Sequence, residues 1–394
     1  MTTQDRRSAA IVGWAHSPFG KLDCPDIESL VGLVGANALE HAGIGPADVD
    51  FITVGVFNNG LGKQGFEASL VALSIPELAQ TPAVRVENAC ATGSAAIHTA
   101  LDFIESGRGR IALVVGAEKM TATATSDVGE ILLSACYRRE EADIDAGFAG
   151  IFGKIAANYF QRYGDKSAEL AMIAAKNHAH GLANPYAHMR KEFSFDFCNT
   201  ISDKNPRVAG PLRRTDCSLV SDGAAALILA DAETAATMSR AITFRSRQHA
   251  NDFLPLSRRD PIAFDGARRA WAKAREDARI TLDDLDLVET HDCFTMAEMI
   301  EYEAMGLAAP GEGWKVVREG TTRRGGKLPV NLSGGLKSKG HPIGATGVSQ
   351  HVMAAMQLSG DAGAMQLDGA KLAAVFNMGG AAVANYVSIL ERTK

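Results

Sequence analysis

Moved along itself by 236 residues without gaps, the sequence lays EHAGIGPADVDFITVG (Glu40 to Gly55) over EDARITLDDLDLVETH (Glu276 to His291). Ala42 falls on Ala278, Ile44 on Ile280, Asp48 on Asp284, Asp50 on Asp286 and Ile52 on Val288. The downstream elements recur in the same order. The first window leads to a turn and helix containing Cys90, then IALVVGAE and SDGAAALILAD; the second leads to a turn and helix containing His341, then KLAAVFNMGG and GAAVANYVSIL. An internal repeat constrains architecture before any single element does. This one predicts two similar α/β units about a pseudo-twofold axis, with the Cys90 and His341 turns equivalent and facing each other.

The separate segments agree with that outline. AAIVGW (Ala9 to Trp14) reads as a buried first strand, and Asp26 to Ala42 as a helix stopped by Gly43. PADVDFITVGVF is a turn followed by a near-continuous apolar strand of the parallel-sheet kind. A helical stretch is expected around Gly65 to Leu73, and TPAVRVENACATGSAAIHTALDFIESG gives strand, turn and a long helix ending at Gly107. Strands alternating with helices predict an α/β fold. From about 120 to 216 the rhythm is interrupted by aromatic and polar clusters such as DAGFAGIFGKIAANYFQRYG, which predict an inserted, mainly helical domain packed on the core. The expected division is an N-terminal half, 1–242, carrying that insertion, and a C-terminal half, 243–394. A chain of 394 residues exceeds the ~250 to 300 at which single cores tend to divide.

A formal charge of −6 is mild for this size, so neither a nucleic acid nor a membrane is expected as partner, and an anionic ligand would need a local basic patch. Cys24, Cys90, Cys136, Cys198, Cys217 and Cys293 form no CxxC pair, which suits reduced thiols in a cytoplasmic protein. The apolar run near the N-terminus is too short for a signal segment, and the final LERTK carries no targeting or lipidation signal.

Three settings hold reactive side chains. In VENACATGSAAI, Cys90 has small neighbours and stands where a helix begins, so free amides and the positive helix end favour a thiolate nucleophile. A small buried hydrophobe is the competing reading of that cysteine. In KGHPIGATG, His341 lies among Gly340, Gly344 and Gly347, with Pro342 restricting its backbone; the glycines permit close approach of a ligand or of the facing half. In HDCFTMAEMIEYEAMGL, His291 and Cys293 stand two apart at the end of the repeated strand LDLVET, where α/β sheets commonly bind ligands. A metal pair is the alternative there; no other His/Cys/Asp cluster at ligand spacing supports it, and no metal is expected.

The motifs ENACATGS, HDCFTMAE, SKGHPIGATG and NMGGAA, in this order over the whole chain, resemble the thiolase superfamily, and HDCF resembles its sterol carrier protein-type branch. The resemblance implies a five-layered αβαβα fold of two duplicated halves with an inserted loop domain. It implies that Cys90 is the nucleophile that carries an acyl group, that His341 activates it, and that His291, in place of the asparagine of NEAF, donates to an oxyanion. The late CxG motif that supplies the acid/base cysteine of most thiolases reads Asn377, Met378, Gly379 here, so Cys293 would take that role. The amides of Gly380 and Cys90 would form a second oxyanion hole.

The implied activity is thiolytic cleavage of a 3-ketoacyl-CoA or the reverse Claisen condensation. Acyl-CoA and CoA are the implied substrates, with no tightly bound cofactor. Arg207, Arg213, Arg214 and Ser333 are candidate CoA contacts, and Met172, Phe148 and Phe152 candidate acyl-pocket residues. A homodimer or homotetramer is implied. The rival readings are a thiolase-like subunit needing a small partner protein, a decarboxylating ketoacyl synthase, and a non-catalytic acyl-CoA binding protein.

Overall fold

The computed structural model describes residues 9–394; the reading of the first eight residues as free of a targeting signal lies outside the described residues. The first half runs β1 (Ala10–His16), α1 (Ile27–Ala42), β2 (Phe51–Gly55), β3 (Ala83–Val86), α2 (Thr92–Glu105) and β4 (Ile111–Glu118). An insertion comes next, with α3 (Thr125–Leu132), α4 (Phe148–Tyr163), α5 (Ser167–Gly181) and a small hairpin of β5 (Arg207–Ala209) and β6 (Leu212–Arg213), before β7 (Gly223–Ala230) closes the half. The second half runs β8 (Ile242–Asn251), α6 (Asp265–Ala278), β9 (Leu287–Glu289), α7 (Thr295–Met305), α8 (Ile343–Ser359), β10 (Leu372–Gly379) and β11 (Ala384–Arg392). Among the described residues no helix is long and apolar enough to cross a membrane.

The sheet order is β3-β2-β4-β7-β1-β8-β11-β10-β9. Outward from the centre, β1-β7-β4-β2-β3 on one side is matched by β8-β11-β10-β9 on the other, and Val330, bridged in parallel to Val288, stands where β3 stands in the first half. Within the sheet, the two halves pair at Ala10 against Thr243 and Ile11 against Ile242. The repeat is visible in its hydrogen bonds. Asp48 accepts from the Gly45 amide and Asp284 from the Thr281 amide. Asp50 Oδ2 accepts from the amides of Arg110 and Ile111 at 2.7 and 3.0 Å; Asp286 Oδ2 accepts from those of Lys371 and Leu372 at 2.7 and 2.9 Å.

Five layers result. Val31, Val34 and Leu39 of α1 cover the outer face of the first half-sheet with Ile52, Val54 and Leu113. Ile97 and Leu101 of α2 with Val348 and Val352 of α8 fill the middle. Trp271 of α6 and Met299 of α7 cover the outer face of the second half-sheet with Phe376 and Ile389. As expected of an apolar strand of the parallel-sheet kind, β2 runs parallel to β3 and β4, and its repeat β9 runs parallel to β10, while the other pairings are antiparallel. The apolar runs arise because both faces are buried, Leu113 and Val115 toward α1 and Ala112 and Val114 toward α2, whatever the direction of the neighbour. The expected helix at 65 to 73 is a 3-10 turn, Glu67–Leu70, and one short helix, Val71–Ser74.

Glycines let α2 and α8 meet backbone to backbone. A Cβ on Gly93 would lie 2.6 Å from the Val348 nitrogen, and one on Gly347 would lie 2.3 Å from the Ser94 nitrogen. The Cys90 and His341 turns, at the N-terminal ends of these helices, are thereby brought face to face.

Asp50 and Asp286 should contribute equally, since each holds two strand amides. Replacing either by Ala is expected to lower stability by about 1 to 2 kcal/mol, and the double variant should lose the sum because the sites are far apart. Urea unfolding midpoints of the three variants check this.

Candidate active site

Cys90 sits at a strained turn. Ala89 has φ +48°, and Thr92 Oγ1 accepts from the Asn88 amide at 2.8 Å while donating to the Ala89 carbonyl at 2.6 Å. The end of β10 closes over it: a Cβ on Gly379 would lie 2.5 Å from the Asn88 carbonyl oxygen. Burial pushes the Cys90 thiol from its ordinary 9.0 up to about 12, opposed by hydrogen bonds from the amides of Gly380 and of Cys90 itself. The resting thiol is therefore protonated at neutral pH, and attack requires a base.

His341 is set up as that base. Thr346 Oγ1 lies 3.0 Å from the Pro342 carbonyl and 2.6 Å from His341 Nδ1; with its single hydrogen on that carbonyl it accepts from Nδ1. The ring proton is thereby held on Nδ1, and Nε2 keeps its lone pair. Burial, with Lys339 nearby, pulls His341 down to about 3, so the ring rests neutral. Two buried carboxylates hold the turn. Glu118 accepts from the amides of Phe57, Asn58 and Gly344 at 2.9, 3.0 and 2.9 Å. Asp292, within the HDCF motif, accepts from the amides of Leu336 and Lys337 and from Asn177 Nδ2. Gly335, at φ +58°, is required there, because a Cβ would lie 2.3 Å from the Asp292 carboxylate.

His291 carries its proton on the opposite nitrogen. The Asn377 atom facing the Cys90 carbonyl at 3.0 Å must be the amide nitrogen, since a carbonyl only accepts, and Asn377 Oδ1 accepts from Ser94 Oγ at 2.8 Å. The same Nδ2 lies 2.9 Å from His291 Nδ1, which must accept its second hydrogen. The neutral ring of His291 then has its N–H at Nε2, a buried nitrogen with no hydrogen-bond partner. Burial, followed by the charge His341 can carry, holds its pKa well below the usual value.

The Cys90 sulfur and one nitrogen of each ring lie within 4.8 Å of one another, with the rings edge to face at 5.1 Å. Three such donors could in principle hold a metal. A metal-ligating histidine donates its other N–H to an acceptor. His341 meets that pattern and His291 does not, because Asn377 donates to it. The arrangement suits one proton acceptor and one hydrogen-bond donor flanking a thiol.

Cys90, Cys293 and His341 border a cavity of about 270 Å³ whose other walls include Phe57, Met120, Val128, Leu132, Phe148, Val208, Phe294 and Ile343. Burial keeps the Cys293 thiol well above its usual pKa, so it too is protonated at rest. Phe148 lines the cavity, whereas Phe152 stacks behind it on Phe294 at 4.4 Å and Met172 packs against the core. Two of the four expected CoA contacts are corrected. Arg213 is buried in an ion pair with Asp216 at 2.9 Å, and Ser333 is buried and donates to Glu289 at 2.5 Å, so each is committed to internal partners. Arg207 and Arg214 are exposed. Sequence reasoning passed over Thr346, Glu118 and Asp292, and treated Asn377 only as the mark of a missing cysteine.

Because the thiol and both imidazoles rest uncharged, alkylation of Cys90 by iodoacetamide should rise about tenfold per pH unit from pH 7 to 9, following the thiolate fraction. A plateau across pH 5 to 8, the mark of a thiolate–imidazolium pair, would contradict the assigned protonation. Peptide mass spectrometry of the alkylated Cys90 checks it.

Comparison with known proteins identifies the family. Residues 9–233 match the family model "Thiolase, N-terminal domain" and residues 249–392 match "Thiolase C-terminal domain-like". Acetyl-CoA acetyltransferase of Methanothermobacter thermautotrophicus is 34% identical over 389 residues, covering 98% of this chain and 100% of the relative. Human sterol carrier protein 2 is 34% identical over 396 residues, covering 95% of this chain and 70% of its own. Among solved structures, the Ltp2-ChsH2(DUF35) aldolase superposes with a TM-score of 0.83 and human mitochondrial 3-ketoacyl-CoA thiolase in complex with CoA with 0.75; both are 18% identical, and in each case 99% of this chain and 99% of that chain are covered. From its repeated halves to its converging turns, the chain belongs to the thiolase family.

Proposed function

We propose that this protein is a cytoplasmic acyltransferase of the thiolase type, which cleaves a 3-ketoacyl-CoA with CoA or runs the reverse Claisen condensation. The observation that carries the reading is the opposed pair of tautomers, a lone pair on His341 Nε2 and a free N–H on His291 Nε2, on two rings that each bring a nitrogen within 4.8 Å of the Cys90 sulfur. In the cleavage direction the Cys90 sulfur attacks the ketone carbon as its proton passes to His341 Nε2. The amides of Gly380 and Cys90 hold the developing alkoxide. Breaking the C2–C3 bond leaves acyl-Cys90 and an acyl-CoA enolate, whose oxygen accepts from His291 Nε2–H and the now protonated His341 Nε2. The Cys293 thiol delivers a proton to C2. The Cys293 thiolate takes the proton of free CoA, whose sulfur attacks acyl-Cys90, and the departing Cys90 sulfur takes back the proton held on His341.

The largely apolar cavity supports an aliphatic acyl group rather than a polar one. Val208 lines it and the neighbouring Arg207 is exposed, which supports Arg207, together with Arg214, as a contact for the CoA phosphates. The exposed edge strand β3 supports a homodimer. Pro82 and Val86 bond inward to β2, leaving the backbone groups of Ala83 and Arg85 directed outward for a second copy. All six cysteines are unpaired, consistent with a reducing compartment.

A second reading is a subunit that acts only with a partner, as the paired name of the Ltp2-ChsH2(DUF35) aldolase indicates for that protein. One experiment separates the two. The purified chain alone, incubated with acetyl-CoA, should gain one acetyl group on Cys90 by intact and peptide mass spectrometry, and Cys90→Ser should gain none. Native mass spectrometry of the same sample should give twice the chain mass of 41.6 kDa. Acetyl-CoA binding with no adduct would overturn the reading for the chain alone, and an adduct that forms only after a partner is added would favour the second.

A further inference from the structure

Asparagine and histidine are not equivalent oxyanion donors. An asparagine amide always donates from its nitrogen, whereas a neutral imidazole donates from only one of its two nitrogens, and which one is decided by the partner of the other. A histidine at position 291 is useful as a donor only if something fixes its proton on Nε2. Thr346, with its hydrogen on the Pro342 carbonyl, does the reverse for His341.

We propose that Asn377 is the positioning residue that keeps the His291 proton on Nε2. Its side chain comes from β10, whose alternate residues Ala373 and Val375 face the middle layer, so Asn377 points the same way, toward α2. There its carbonyl is fixed by Ser94 at 2.8 Å and one amide hydrogen by the Cys90 carbonyl at 3.0 Å. The second hydrogen can go only to His291 Nδ1, at 2.9 Å. Gly347 leaves room for the arrangement, since a Cβ there would lie 2.4 Å from Asn377 Oδ1. The two departures from the commoner thiolase motifs, histidine for the NEAF asparagine and Asn377 for the late cysteine, are thus one linked change: the asparagine that left one position supplies, from the other, the control that the incoming histidine needs.

The inference rests on the thiolase reading for its kinetic consequence, but the tautomer can be measured without it. In protein labelled with ¹⁵N-histidine, two-dimensional NMR should find His291 protonated at Nε2. Asn377→Asp should move that proton to Nδ1, because a carboxylate oxygen accepts where the amide donated. The same variant should lower kcat for condensation by about 10²-fold, the usual cost of one oxyanion donor, with KM changed much less. In a His291→Asn background, where the donor needs no tautomer control, adding Asn377→Asp should cost under about threefold relative to that background. Equal costs in both backgrounds would mean that Asn377 merely supports the Cys90 turn, and would overturn the proposal. So would a wild-type His291 protonated at Nδ1, a result that needs no variant to fold. Failure of wild type to acetylate Cys90, with the predicted tautomer present, would instead count against the thiolase reading.

Discussion

Everything chemical in this protein depends on two helices touching where they have no side chains. Gly93 on α2 and Gly347 on α8 bring the backbones of the two halves into contact, and the reactive turns are simply the segments that precede these helices. The half-sheets themselves share only two residue pairs, so the middle helical layer determines how the halves sit. A methyl group at either glycine would have to displace a backbone nitrogen. The same contact aims the N-terminal ends of both helices, with their unpaired amides, toward the site.

The four reactive side chains of the site rest uncharged. Burial raises Cys90 and Cys293 and lowers His291 and His341, so each shift favours the uncharged form. A low-dielectric pocket without a resting charge strengthens any hydrogen bond offered to a developing oxyanion. Direction is then set by where protons sit rather than by fixed charges: Thr346 leaves His341 a lone pair, and Asn377 leaves His291 a donor. The carboxyl groups of Asp292 and Glu118 stand one step back, where they accept from loop amides, and burial raises both, Glu118 to about 7.

Much of this was legible in the sequence, for identifiable reasons. The duplication showed because Asp48 and Asp50 do the same capping and bridging work as Asp284 and Asp286, which preserves residue type as well as pattern. Cys90, His291, Cys293 and His341 stood in short motifs at strand and helix ends and could be named individually. The parallel setting of β2 was read from its apolar run, but the antiparallel pairings of β1, β7, β8 and β11 were not, because burial on both faces gives the same run in either orientation. Arg213 and Ser333 looked available because composition does not reveal that Asp216 and Glu289 lie against them. Asn377 was visible only as a loss; its use depends on three partners, Ser94, Cys90 and His291, drawn from both halves.

On the proposed mechanism Cys293, a neutral cysteine on the second half, exchanges protons with the α-carbon of a thioester held beside Cys90. Solvent deuterium incorporation at C2 of acetyl-CoA, measured by mass spectrometry, tests it most directly. The account predicts exchange by the wild-type protein and by Cys90→Ala, which keeps the enolate donors, and its loss in Cys293→Ala. Exchange that persists at the wild-type rate without Cys293 would contradict the account.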